Sequence, residues 1–271
     1  MLLNNHDAND IEEEGYNALL QYIASCTVIV TGVDKNFQHG SGVAVKYANQ
    51  YYILTAAHVL KEEPDNKQIR FIGKPNAPTK IAHKDDLPNA AFLGTNGPLA
   101  YSEAVSLFIE DRIIGIDDED IAALKIYDAA KYLPYTSFHD LSSQGDTKIS
   151  VGETVNIFGF PGEIAQFVEH RMTSKQGNIA FSQFQQQEVR QISDAPCELN
   201  PDVYFITDYS FDDNTSAPKG LSGCGVWNIP KVTDNKIWSP QQSQLLGIQS
   251  AFYPDSKLLK VIRIERIIKL L

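Results

Sequence analysis

The chain is predicted to be all-β with one helix at each end, and three observations carry that expectation. Short runs of β-branched and aromatic residues recur from Cys26 onward, bounded by turn residues, and such runs read as strands. Apolar residues at helical spacing stand near the start, at Tyr16, Leu19, Leu20 and Ile23, and at the end, at Ile262, Ile264, Ile267, Ile268 and Leu271. A length of 271 residues with 43% hydrophobic content is long for one average domain but ordinary for a single large β unit.

Residues 1–25 read as a helical extension. Asp10, Glu12, Glu13 and Glu14 put acids in its first turn, where the helix dipole favours them, and its apolar stripe is expected to pack on the body or, in a sharper alternative, to hold a partner. Residues 26–133 form a first β unit, with strands at 26–33, 42–46 and 51–55 and a hairpin signal at Tyr47-Ala48-Asn49-Gln50. Residues 61–106 mix Pro64, Pro75, Pro78, Pro88 and Pro98 with charges around one strand at 68–72. Loops of that length shape access to a site or decorate the surface. Residues 134–147, with Pro134, Ser142, Ser143 and Gly145, have the composition of a connector. Residues 148–261 form a second β unit, with a strand from Thr154, a hairpin around Lys175-Gln176-Gly177, and strands at 203–208 and 245–252; residues 262–271 close the chain as a helix.

Three places carry chemistry. In Lys219-Gly220-Leu221-Ser222-Gly223-Cys224-Gly225 a serine stands among glycines. A hydroxyl is a weak nucleophile until a base takes its proton, and glycines let backbone N–H groups, here those of Gly220 and Ser222, turn toward one point. In Leu54-Thr55-Ala56-Ala57-His58 an apolar run closes on a histidine. In Asp117-Asp118-Glu119-Asp120-Ile121-Ala122-Ala123-Leu124 only Asp120 abuts the buried run, although four consecutive acids also suit a solvated face. Cys224 could serve as an alternative nucleophile, but a small buried hydrophobe is the simpler reading. His39, alone in a turn, reads as solvated.

Histidine, aspartate and serine occur in the chain order of the chymotrypsin template; α/β-hydrolases and subtilisins use other orders. Together with Gly40-Ser41-Gly42, these motifs resemble the trypsin-like (chymotrypsin-fold) serine peptidases, in particular the bacterial HtrA-like type, over residues 24 to 265. The resemblance implies two six-stranded antiparallel β-barrels with the N-terminal and C-terminal helices outside them, the first barrel carrying His58 and Asp120 and the second Ser222. It implies a serine endopeptidase in which Ser222 attacks, His58 moves the proton and Asp120 orients His58. Gly220 and Ser222 would form the oxyanion hole, and Ser216, Ser250, Ala251 and Phe252 would bind the residue before the cut. Leu221 stands where digestive trypsins carry the aspartate that binds a newly cut N-terminus, so that form of activation is not expected. No metal or organic cofactor is needed.

The expected partners are protein or peptide substrates, with room for a regulatory protein at the N-terminal helix or residues 61–106. Thirty-four acidic against 23 basic residues give a net charge of −11, which argues against nucleic acid or an anionic membrane. Met1 to Asp7 lack a secretion signal, and no run approaches the ~20 apolar residues needed to span a bilayer; the chain reads as cytoplasmic. Three cysteines without a Cys-x-x-Cys pair suggest neither a disulfide framework nor a zinc site. A peptidase-fold protein-binding module with an unproductive site is the alternative, and an esterase on the same fold a third possibility.

Overall fold

Two strands meet at Ala48 and Asn49, whose φ angles are both positive, 46° and 61°. That is the signature of a type I′ turn, whose twist matches the strands it joins. It pairs Tyr47 with Gln50 and sets the register of β2 (Gln38–Tyr47) on β3 (Gln50–Ala56) as far as Val43 and Leu54. The computed structural model describes residues 15, 18–19, 21–32, 38–61, 67–72, 99–106, 113–116, 118–126, 137–145, 147–160, 179–180, 183–209, 218–229 and 239–271. The first-turn acids of the N-terminal segment, the turn at Lys175-Gln176-Gly177 and Ser216 lie outside them.

Around that hairpin gather β1 (Thr27–Gly32), β4 (Lys67–Ile72), β5 (Leu99–Ser106), β6 (Ile113–Ile116), β7 (Ile121–Ile126), β8 (His139–Asp140) and β10 (Ile179–Ala180). They form a nine-stranded sheet in the order β10-β5-β4-β1-β2-β3-β7-β6, with β8 beside β2. Among the described residues the first of the two expected barrels is therefore an open sheet. Closure requires the end strands to pair with each other, and here the outer edge of β5 takes β10 instead, with Ile179 opposite Ala100.

The second unit does close. Strands β11 (Gln183–Arg190), β12 (Tyr204–Asp208), β15 (Leu258–Arg263), β14 (Gln244–Tyr253), β13 (Gly225–Asn228) and β9 (Thr154–Gly159) make a six-stranded barrel in that order. Buried Gln187 and Val189 alternate with exposed Gln186, Glu188 and Arg190, so β11 has the strand period despite its glutamines. The C-terminal helix is shorter than the expected 262–271: it spans Ile264–Ile268, because β15 continues to Arg263 and Ile262 is paired with both Tyr204 and Ile248.

One apolar cluster joins the two halves. Leu19, Ile23 and Ala24 are buried in it with Val43, Leu54, Trp227, Ile264 and Ile267, and described residues 21–25 are helical. The segment before Cys26 thus contributes to the core. Ile23 is fully buried, so Ile23→Ala is expected to cost about 2–5 kcal/mol through lost contacts and a residual cavity. The midpoint of a urea titration measures this.

A buried histidine ties the same elements by polar contacts. Tyr22 donates its hydroxyl to His139 Nδ1 at 2.9 Å, and His139 Nε2–H donates to Gln144 Oε1 at 2.9 Å. Gln144 in turn donates to the Leu245 carbonyl, and its Oε1 accepts the Leu245 N–H. The His139 ring stands edge-on to Trp227, centroids 5.0 Å apart. Burial pushes the His139 pKa below its ordinary value of 6.5. The unfolded ring then takes up a proton before the folded one as pH falls, so stability from the neutral ring is present above about pH 6.5 and lost below it. Melting temperatures between about pH 7.5 and 5 are expected to fall more steeply for the wild type than for His139→Phe, which lacks this titration.

Candidate active site

β3 ends at Ala56, and the short helix Ala57–Lys61 carries His58 on from it. The partner strand β7 begins just after Asp120, whose left-handed backbone (φ 61°) turns the chain back. The Ala57 N–H donates to the Asp120 carbonyl at 2.9 Å, and the His58 N–H to Asp120 Oδ1 at 2.9 Å. His58 Nδ1–H donates to the same carboxylate, 3.0 Å from Oδ1 and 2.9 Å from Oδ2. A carboxylate only accepts, so the proton of the neutral ring is held at Nδ1 and Nε2 carries the lone pair. His58 is 48% exposed and Asp120 21%: the imidazole is within a substrate's reach while its carboxylate is partly shielded.

The neighbouring acids have other surroundings. Glu119 receives Arg266 of the C-terminal helix bidentately, Nε at 2.6 Å and Nη2 at 2.9 Å, and Asp118 is exposed. Asp117 lies outside the described residues.

The serine loop is shaped by two glycines with positive φ, Gly220 at 92° and Gly223 at 88°. Leu221 N–H donates to the Pro218 carbonyl at 3.0 Å. A turn closed that way with a left-handed third residue has the type II form that demands glycine there. Leu221 is buried with Cys224, Val226 and Tyr209 and so anchors the loop by apolar packing. Ser222 is half-buried. The side-chain hydrogen bonds of His58 both go to Asp120, and among the described residues none links His58 to Ser222.

Of the residues expected to bind substrate, Ser250 is buried and Ala251 and Phe252 are half-buried on β14. The Phe252 ring stands edge-on to the buried Tyr209 at 5.7 Å. Cys26, Cys197 and Cys224 are free thiols. Burial pushes the Cys224 thiol far above its ordinary range, which leaves it a poor nucleophile at neutral pH. The first sheet is tied to the serine loop through Ser41, whose hydroxyl donates to the Gly220 carbonyl and whose N–H donates to the Ser222 carbonyl. The Gly40-Ser41-Gly42 motif marked the place in the sequence, but the bonds themselves join residues nearly two hundred positions apart.

The sequence model of the trypsin-like peptidase domain matches residues 40–230, a stretch that holds His58, Asp120 and Ser222. The chain belongs to the trypsin-like peptidase family. A crystal structure of the serine endoprotease from Yersinia pestis resembles this trypsin-like chain with a TM-score of 0.50 at 16% identity. The match covers 94% of this chain and 64% of that one, so this chain spans less than two thirds of the neighbour's length. At that identity the likeness is one of fold. No curated protein matches this trypsin-like chain by sequence.

Proposed function

We propose that the chain is a serine endopeptidase, hydrolysing peptide bonds of protein substrates through His58, Asp120 and Ser222 and an acyl-enzyme intermediate. The observation that carries this is the carboxylate of Asp120, which accepts both the backbone N–H and the Nδ1–H of His58. It fixes ring and tautomer together and leaves the basic Nε2 for a hydroxyl.

The chemistry follows the acyl-transfer template. Ser222 Oγ attacks the scissile carbonyl carbon while His58 Nε2 takes its proton. The carbonyl oxygen becomes an anion, met by the N–H groups of Gly220 and Ser222, and removing one such donor costs roughly 3–4 kcal/mol in measured cases. Collapse expels the amine, which leaves with the proton from His58. Water then attacks the acyl ester with His58 again as base, releasing the acid and restoring Ser222. Asp120 stabilises the imidazolium without taking a proton.

A fluorophosphonate probe followed by peptide mapping tests the reading. Modification of Ser222, together with turnover of a reporter peptide, supports it. No adduct at Ser222 even with peptide present would favour the protein-binding module instead.

Substrate choice follows from what lines β14. Phe252, backed by Tyr209, is bulky and uncharged. Cleavage is expected after small or medium uncharged residues. A peptide-library profile dominated by Arg or Lys before the cut would reject that pocket.

Control of the site fits the same picture. Burying an unpaired ammonium beside Leu221 is unfavourable, so a trimmed N-terminus has no pairing site there. Packing of Leu221, or a regulatory protein that favours the ordered loop, takes that role.

A further inference from the structure

Ser41 is fully buried on β2 of the open sheet, yet its hydrogen bonds cross to the serine loop and the closed barrel. Its hydroxyl donates to the Gly220 carbonyl at 3.0 Å and accepts the Phe160 N–H at 3.1 Å. Its backbone N–H donates to the Ser222 carbonyl at 2.7 Å, and its carbonyl accepts the Thr55 hydroxyl at 2.8 Å. Neighbouring glycines make the approach possible: a Cβ on Gly40 would lie 2.6 Å from the Ser222 carbonyl oxygen.

These bonds act on two particular peptide planes. In the Gly220–Leu221 peptide the carbonyl is held by the Ser41 hydroxyl and the N–H by Pro218. In the Ser222–Gly223 peptide the carbonyl is held by the Ser41 N–H and the N–H by the Gln249 carbonyl at 2.8 Å. A planar trans peptide points its C=O and N–H in opposite directions, so a partner at each end fixes the plane. The Ser222–Gly223 plane is gripped by β14 on one side and Ser41 on the other, the Gly220–Leu221 plane by its own loop and by Ser41.

The two grips differ in kind. The hold on Ser222 is made by backbone and survives any substitution that keeps the strand. The bond from Ser41 to Gly220 is made by its side-chain hydroxyl. We infer that Ser41 is a positioning residue for peptide hydrolysis, its hydroxyl fixing the plane that follows Gly220 and, through the Gly220 Cα that this plane shares with the one carrying the Gly220 N–H, steadying the Gly220 half of the oxyanion hole. This rests on the reading of Gly220 and Ser222 as the oxyanion donors. Ser41 touches no reacting atom; it acts through the loop.

The test uses the full chain with Ser41→Ala and Ser41→Cys, the latter keeping the shape but offering only a weak donor. Ser41→Ala is expected to lower kcat about 10- to 100-fold, approaching the loss of one oxyanion donor, with KM within about twofold. Ser41→Cys should fall between it and the wild type. Hydrogen exchange resolved by residue supplies a readout that general loosening would not reproduce. The Leu221 amide should exchange about tenfold faster in Ser41→Ala, while the Gly223 amide, in the plane gripped by backbone, keeps its wild-type rate.

A kcat within twofold of wild type in both variants overturns the inference, as does equal acceleration of the Leu221 and Gly223 amides, or failure of both variants to fold. If the wild type itself shows no hydrolysis and no serine labelling, the peptidase reading falls. The exchange comparison then decides alone whether Ser41 holds the Gly220 plane.

Discussion

Ser222→Ala is expected to reduce peptide hydrolysis by roughly four to six orders of magnitude, the range for loss of the nucleophile in a serine peptidase. Folding should be nearly unchanged. Ser222 is half-buried, and its tie to the first sheet runs through its backbone carbonyl to Ser41, which alanine retains. His58→Ala is expected to be comparably severe, since its exposed ring is held only by Asp120 among the described residues. Asp120→Asn keeps one acceptor oxygen but can present an amide N–H to Nδ1; the tautomer that places the lone pair on Nε2 then loses its advantage, for a drop of about 10⁴ in kcat. Reporter turnover beside a thermal melt measures both halves of the claim. Retention of more than a few per cent of wild-type turnover by Ser222→Ala would remove Ser222 from the chemistry.

Among the described glycines, Gly223→Ala is expected to be the most damaging. Gly223 has φ 88°, and a Cβ there would lie 2.0 Å from the Ser41 carbonyl oxygen and 2.2 Å from Thr55 Oγ1. The carbonyl belongs to a paired strand, so the loop would have to move instead, carrying Ser222 with it. Left-handed strain and that collision together should cost roughly 3 kcal/mol or more, with loss of peptidase activity. Gly152→Ala is the control: its φ is 84°, but a Cβ there meets nothing within 4 Å, and only about 1–2 kcal/mol of backbone strain is expected. Equal denaturation midpoints for the two variants would mean that the contact with Ser41 is not as tight as described.

These contrasts bear on what a sequence can reveal. The turn at Ala48 and Asn49 was legible because two strand-like runs flank it, and β3, β7 and β13 because their apolar runs are continuous. The Asp120–His58 pairing could be anticipated from where each residue falls at a strand end. Strand β11 could not, since four of its eight residues are glutamine and its buried side at Gln187 and Val189 shows only once the barrel is seen. The final helix misled for a related reason: Ile262 and Ile264 are two apart, a spacing that serves a strand as well as a helix edge, and the ladder to Tyr204 and Ile248 decided for the strand. The openness of the first sheet depends on which strand reaches the edge of β5, and pairing across that sequence distance leaves no local mark. The hydroxyl of Ser41 is legible only as one serine between two glycines.

The grip of Arg266 on Glu119 also has a meaning in time. The turn that presents Asp120 is made well before its guanidinium anchor, which lies 147 positions further along the chain than Glu119, and Ile264 and Ile267 complete the cluster that receives Leu19 and Ile23. A nascent chain that has not yet reached Arg266 therefore holds the His58–Asp120 pair on a turn whose Glu119 still lacks this partner.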